Sequence, residues 1–126
     1  MMTPGQYLRK RRLAARLSLD DVAAMVHTAP RLGEVDRVAW LRRVEDDVAA
    51  LGADVIATLS DAFPFSRRIL QQLIDRRSYG AAIEAPRLCA HCACSDRDPC
   101  IDPHSGEACG WSGPDLCDRC APPTGD

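Results

Sequence analysis

The segment "RLCAHCACSDRDPC" holds four cysteines, and "PDLCDRC" follows with two more; with Cys109, all seven cysteines of the chain fall between Cys89 and Cys120. A CxxC turn lets two thiolates converge on one ion. Cys89-x-x-Cys92 and Cys117-x-x-Cys120, with 24 residues between them, are therefore expected to close a tetrahedral shell at ~2.3 Å per zinc–sulfur bond. A pair of disulfides and an iron–sulfur cluster are the competing uses of the same residues. The segment has few large apolar side chains, so a zinc ion would also be the reason it folds. The inner residues leave alternatives open. Cys94, Cys100 and Cys109, with His104, can form a second Cys3His site; otherwise they are packed thiols, or one zinc takes a different choice of four ligands. His91 lies inside a turn and is expected to point outward.

Catalysis is not expected. The zinc-deaminase pattern needs an H-x-E element and a Pro before its CxxC, and neither is present. There is no phosphate-cradling glycine loop, no nucleophile elbow and no βαβ setting for a redox CxxC. A zinc whose every position is filled by protein is structural.

The elements that must position this cluster differ sharply along the chain. The first 88 of the 126 residues contain no cysteine. Residues 1–80 carry 13 Lys/Arg against 10 Asp/Glu, and residues 81–126 carry three against eight. No run approaches the ~18–20 apolar residues of a membrane helix, and the basic N-terminus lacks the apolar core of a secretory leader. The expectation is a cytoplasmic protein with no membrane contact, in a compartment where thiols stay reduced.

The front reads as helices. Thr3, Pro4 and Gln6 form a capped start, followed by an apolar stripe of Tyr7, Leu8, Ala14, Ala15 and Leu17 among Arg9, Lys10, Arg11, Arg12 and Arg16. Ser18 with Asp21 opens a second helix whose inner side is Val22, Ala23 and Val26. "VAWLRRVEDDVAAL" supplies a third. "DVIATLSDAF" carries Val55, Ile56, Leu59, Ala62 and Phe63 on one side, and "SRRILQQLI", capped by Ser66, carries Ile69, Leu70, Leu73 and Ile74; Pro64 separates the two.

"YLRKRRLAARLSLDDVAAMV", with Leu8, Arg12, Leu17-Ser18 and Val22-Ala23, resembles the first two helices of the Cro/repressor-type (XRE) helix-turn-helix family. Trp40, Val44 and Glu45 are similar to that family's signature at the end of its recognition helix. Two departures stand out. Arg16 occupies a place where the family usually has a left-handed glycine, at a cost on the order of 1 kcal/mol. "HTAPRLGEVDR" also stretches the turn by roughly eight residues. The resemblance implies a mainly α, five-helix domain that binds double-stranded DNA and regulates transcription. Arg37, Arg42 and Arg43 are then the groove contacts, Arg9, Lys10, Arg11 and Arg12 lie near phosphates, and a homodimer reads paired half-sites. "CAHCACSDRDPCIDPHSGEACGWSGPDLCDRC" resembles a cysteine-rich, zinc-ribbon-like tail seen in bacterial and phage proteins.

The expected organisation is a helix-turn-helix domain over 1–77, a linker over 78–88 that lets the parts move independently, a zinc module over 89–121 and a flexible tail over 122–126. One zinc site is expected, with a second left open. The competing function is a protein-binding adaptor that uses the acidic module. Its support is the stretched turn, with Asp46 and Asp47 beside the third helix.

Overall fold

The computed structural model describes residues 2–26, 33–96, 98–101 and 104–120. Residues 27–32 of the expected stretched turn (27–37) and the C-terminal tail (122–126) lie outside them, while residues 34–37 of that turn are helical. Among the described residues, five α-helices form: α1 (Pro4–Ala14), α2 (Leu19–Met25), α3 (Glu34–Glu45), α4 (Ala53–Ala62) and α5 (Arg67–Tyr79), followed by a short hairpin, β1 (Trp111–Gly113) with β2 (Leu116–Cys117); α3 starts four residues before, and ends six residues before, the segment 38–51 expected for it. The caps have the expected chemistry. Thr3 with Gln6 and Ser18 with Asp21 close reciprocal capping boxes, and the Ser66 hydroxyl accepts from the Ile69 amide, so donors that α1, α2 and α5 would leave unpaired are satisfied.

The core gathers Tyr7 and Leu8 of α1, Val22 and Ala23 of α2, Leu41 and Val44 of α3, Leu59 of α4 with Phe63 after it, and Ile69, Leu70 and Leu73 of α5. Ala14, placed in the α1 stripe from sequence, is exposed. Tyr7 also makes a polar contact from within the core. Its hydroxyl accepts from the Ser66 amide at 3.0 Å at the start of α5, and burial pushes its pKa up to about 12.

Between α1 and α2 the chain turns at Arg16, whose φ of 61° is left-handed. The expected strain is there, since a Cβ in this region costs about 1–2 kcal/mol. The Arg16 side chain is exposed, so nothing buried depends on it. Arg16→Gly should stabilise the protein by about 0.5–1 kcal/mol after glycine's own entropic cost is subtracted, read as a shift of the urea midpoint at constant m value.

A second left-handed residue, Asp47 (φ 63°), ends α3. Its carboxylate accepts from the Thr3 hydroxyl and the Gly5 amide and pairs with Arg77 at 3.0 Å. Gly5 is required at that junction, because a Cβ there would stand 2.4 Å from the Glu45 carbonyl oxygen.

The expected free linker is a correction. Residues 78 and 79 belong to α5, and the stretch after them is fastened on both sides. Gln72 and Arg76 donate to the carbonyls of Glu84 and Ile83, while Arg87 donates to those of Gly113 and Pro114 and stacks over Trp111 at 4.1 Å. Leu88 and Ala93 enter the helical core itself. The cysteine-rich part is thus packed on the helices.

Candidate metal centre

The first cysteine turn is built by the backbone. The Ala93 amide donates to the Cys89 carbonyl at 2.9 Å and the Cys89 amide to the Cys94 carbonyl at 3.0 Å, with Ala93 left-handed at φ 62°. The second turn follows β2, where the Cys120 amide donates to the Cys117 carbonyl at 3.1 Å. A bond from the Ala90 amide to the Asp115 carbonyl (2.7 Å) joins the two turns. Between them, the Cys109 amide donates to the Cys100 carbonyl at 2.8 Å, and the Trp111 indole donates to Asp96 at 2.6 Å.

These bonds bring all seven cysteines into one cluster, with Cys89, Cys92, Cys94 and Cys117 buried and Cys100, Cys109 and Cys120 half-buried. All seven are free thiols. The sulfurs of Cys92 and Cys100 are 3.7 Å apart, those of Cys94 and Cys109 3.8 Å, and those of Cys92 and Cys117 3.9 Å. Such gaps are far too long for a disulfide at ~2.05 Å. They match the ~3.8 Å edge of a tetrahedron with ~2.3 Å metal–sulfur bonds. Two sets of four thiols have every sulfur within 4.8 Å of the others: Cys89, Cys92, Cys94 and Cys117, and Cys94, Cys100, Cys109 and Cys117. The cluster can hold a metal ion.

Its electrostatics suit a cation. Burial raises the Cys89 thiol, but the backbone amides of Cys117, Cys92 and His91 outweigh it and bring the pKa down to about 6. Cys117 is lowered in the same way, its burial opposed chiefly by the Cys120 and Arg119 amides. Elsewhere, burial and neighbouring sulfurs push Cys100 up to about 12 and also raise Cys94 and Cys120. The thiolate form is therefore favoured at Cys89 and Cys117, while Cys94, Cys100 and Cys120 need a positive charge beside them to ionise.

The two four-thiol groups differ from the groupings expected from the spacing. Cys94 completes the first four-thiol set, where the paired CxxC turns suggest Cys120, which packs beside it. Cys117 takes the fourth place of the second set, where a histidine was expected. His104 is exposed and belongs to neither set, and His91 is exposed as anticipated.

The basic residues divide more sharply. Arg11 and Arg12, expected near phosphates, are buried. Arg12 is held in a two-pronged ion pair with Glu45 (2.7 and 2.9 Å) and donates to the Leu17 carbonyl. Arg11 reaches the cysteine-rich part, donating to the Cys92 carbonyl at 3.3 Å and pairing with Asp98 at 3.4 Å, while Lys10 donates to the Ala90 carbonyl at 2.7 Å. Arg37 is half-buried and donates to the Ala23 carbonyl of α2 at 2.6 Å. Arg9, Arg42 and Arg43 are exposed. Sequence reasoning missed Asp98 and Asp47 as anchors. The signal for the arginines was available: residues 11 and 12 follow Tyr7 and Leu8 by one helical turn and share their inward face.

Comparison with known proteins gives no matching family model, no matching curated protein and no matching solved structure. Among the described residues, no helix is long and apolar enough to cross a membrane.

Proposed function

We propose that the protein is a small DNA-binding transcriptional regulator in which α2 and α3 act as a helix-turn-helix and the cysteine cluster is a structural zinc centre. The observation that carries this reading is the outer face of α3. Leu41 and Val44 are buried against the rest of the helical core, and Arg37 ties α3 to α2. The opposite side exposes Val35, Ala39, Arg42 and Arg43. Arginines suit guanine edges, and small apolar groups suit thymine methyls. XRE-type proteins offer the same helix to the major groove, commonly as dimers on paired half-sites. Zinc is favoured over iron because its tetrahedral shell accepts four thiolates without redox chemistry, and a filled shell leaves no open position for catalysis. Seven free thiols suit a reducing compartment such as the cytoplasm.

Replacing Arg42 or Arg43 with Ala should cost about 1–3 kcal/mol on a preferred duplex and little on mixed sequence. Arg9→Ala should instead weaken binding to all duplexes and flatten the log–log salt slope by about one phosphate, roughly 0.9. Titration of the full chain against mixed duplexes at low and moderate salt checks both effects. No binding at low salt would sink the regulator reading. It would favour an adaptor whose cysteine-rich part, with three basic residues against eight acidic in residues 81–126, receives a protein.

A further inference from the structure

We propose that the seven cysteines form a single two-metal cluster in which the Cys117 thiolate is shared: Cys89, Cys92, Cys117 and Cys120 hold one ion, and Cys94, Cys100, Cys109 and Cys117 hold the other. The inference rests on the zinc reading above and assigns its ligands and stoichiometry.

The two four-thiol sets in the structure are not separate places. They intersect at Cys94 and Cys117, and the 3.7 Å approach of Cys92 to Cys100 runs from one set to the other. Two independent tetrahedral ions need eight ligands. The chain has seven cysteines, and His104 stands outside both sets. Seven sulfurs fill eight corners when one thiolate bridges.

Cys117 is the sulfur placed to do so. It belongs to both sets, is 1% exposed and lies 3.9 Å from Cys92. Cys94, the other shared member, is 3.8 Å from Cys109 and fits the second ion. With Cys94 given to that ion, the fourth corner of the first falls to Cys120, which packs half-buried against the cluster of Cys89, Cys92, Cys94 and Cys117. Every cysteine then has a metal, and each CxxC turn serves one ion in full.

Part of the charge is offset nearby. Seven thiolates and two divalent cations leave a net of about −3. Lys10, and Arg11 with its partner Asp98, reach the carbonyls of Ala90 and Cys92 at the edge of the cluster.

The test uses the full chain, purified with zinc and a reductant, then exchanged with cadmium-113. Elemental analysis should give two zinc ions per chain. Cadmium NMR should show two resonances in the sulfur-rich range, split by coupling to each other through the common sulfur. Cys109→Ser should reduce the content to one ion while the helical circular dichroism is kept. Two resonances without mutual coupling overturn the sharing. One ion per chain overturns it as well but leaves the zinc reading standing; no bound metal removes both. A Cys120→Ser chain that keeps two coupled ions overturns the ligand assignment.

Discussion

Chelation under reducing conditions should unfold residues 89–120 and lower the stability of the helices without abolishing them. The cysteine-rich part has little else to hold it. Apart from its cysteines, its main apolar side chains are the half-buried Trp111 and Leu116, and its hairpin is two short strands. A hairpin of that size is marginal alone, whereas structural zinc supplies roughly 10–16 kcal/mol in finger peptides. Cys117→Ser should act like chelation, because that sulfur sits in both four-thiol sets. The helices should feel the loss through Leu88 and Ala93, which leave their core, and through Arg11, which loses Asp98 and the Cys92 carbonyl. Loss of a buried leucine contact costs about 2–5 kcal/mol, so the melting temperature of the remaining helices should fall. Amide spectra and thermal melts with and without chelator check this. Dispersed signals from residues 89–120 that survive metal removal would contradict it.

The second large effect is expected at the Arg12–Glu45 pair. Both side chains are less than a tenth exposed, and the pair joins α1 to the end of α3. Removing one member strands a buried charge, which typically costs about 3–5 kcal/mol. Glu45→Gln should therefore consume a large share of the ~5–15 kcal/mol that holds a domain of this kind together. Arg12→Met combined with Glu45→Leu should recover most of the loss, because the penalty comes from the uncompensated charge and not from missing volume. Urea unfolding of the three chains separates the cases. A Glu45→Gln protein within about 1 kcal/mol of the parent would show that water reaches the guanidinium.

Local rules made much of this molecule legible in advance. Caps are short-range, so Thr3, Ser18 and Ser66 could be assigned from neighbours three residues away, and the apolar periodicity of α4 and α5 identified the buried Leu59, Phe63, Ile69, Leu70 and Leu73. The cysteine spacing marked the region whose clustered thiols can hold a metal ion. What escaped was long-range polar pairing. The run from Arg9 to Arg12 reads as one basic patch, yet the helix sends residues 11 and 12 inward, and their partners lie dozens of residues away. The interdigitation of the cysteines was hidden for the same reason: linear spacing pairs each CxxC with itself and says little about which sulfurs meet across loops.

The anchoring of α1 also sets an order in time. Its polar partners are Glu45, 33 residues downstream of Arg12, the Ser66 amide, 59 beyond Tyr7, and the Cys92 carbonyl, 81 beyond Arg11. Contacts this distant in sequence slow folding, since long loops must close before they are rewarded. A chain made from its N-terminus therefore produces its first helix early and completes that helix's surroundings late. During synthesis Lys10 and Arg11 wait for their partners in the cysteine-rich segment until it has emerged, so a stretch made later finishes the burial of one made earlier.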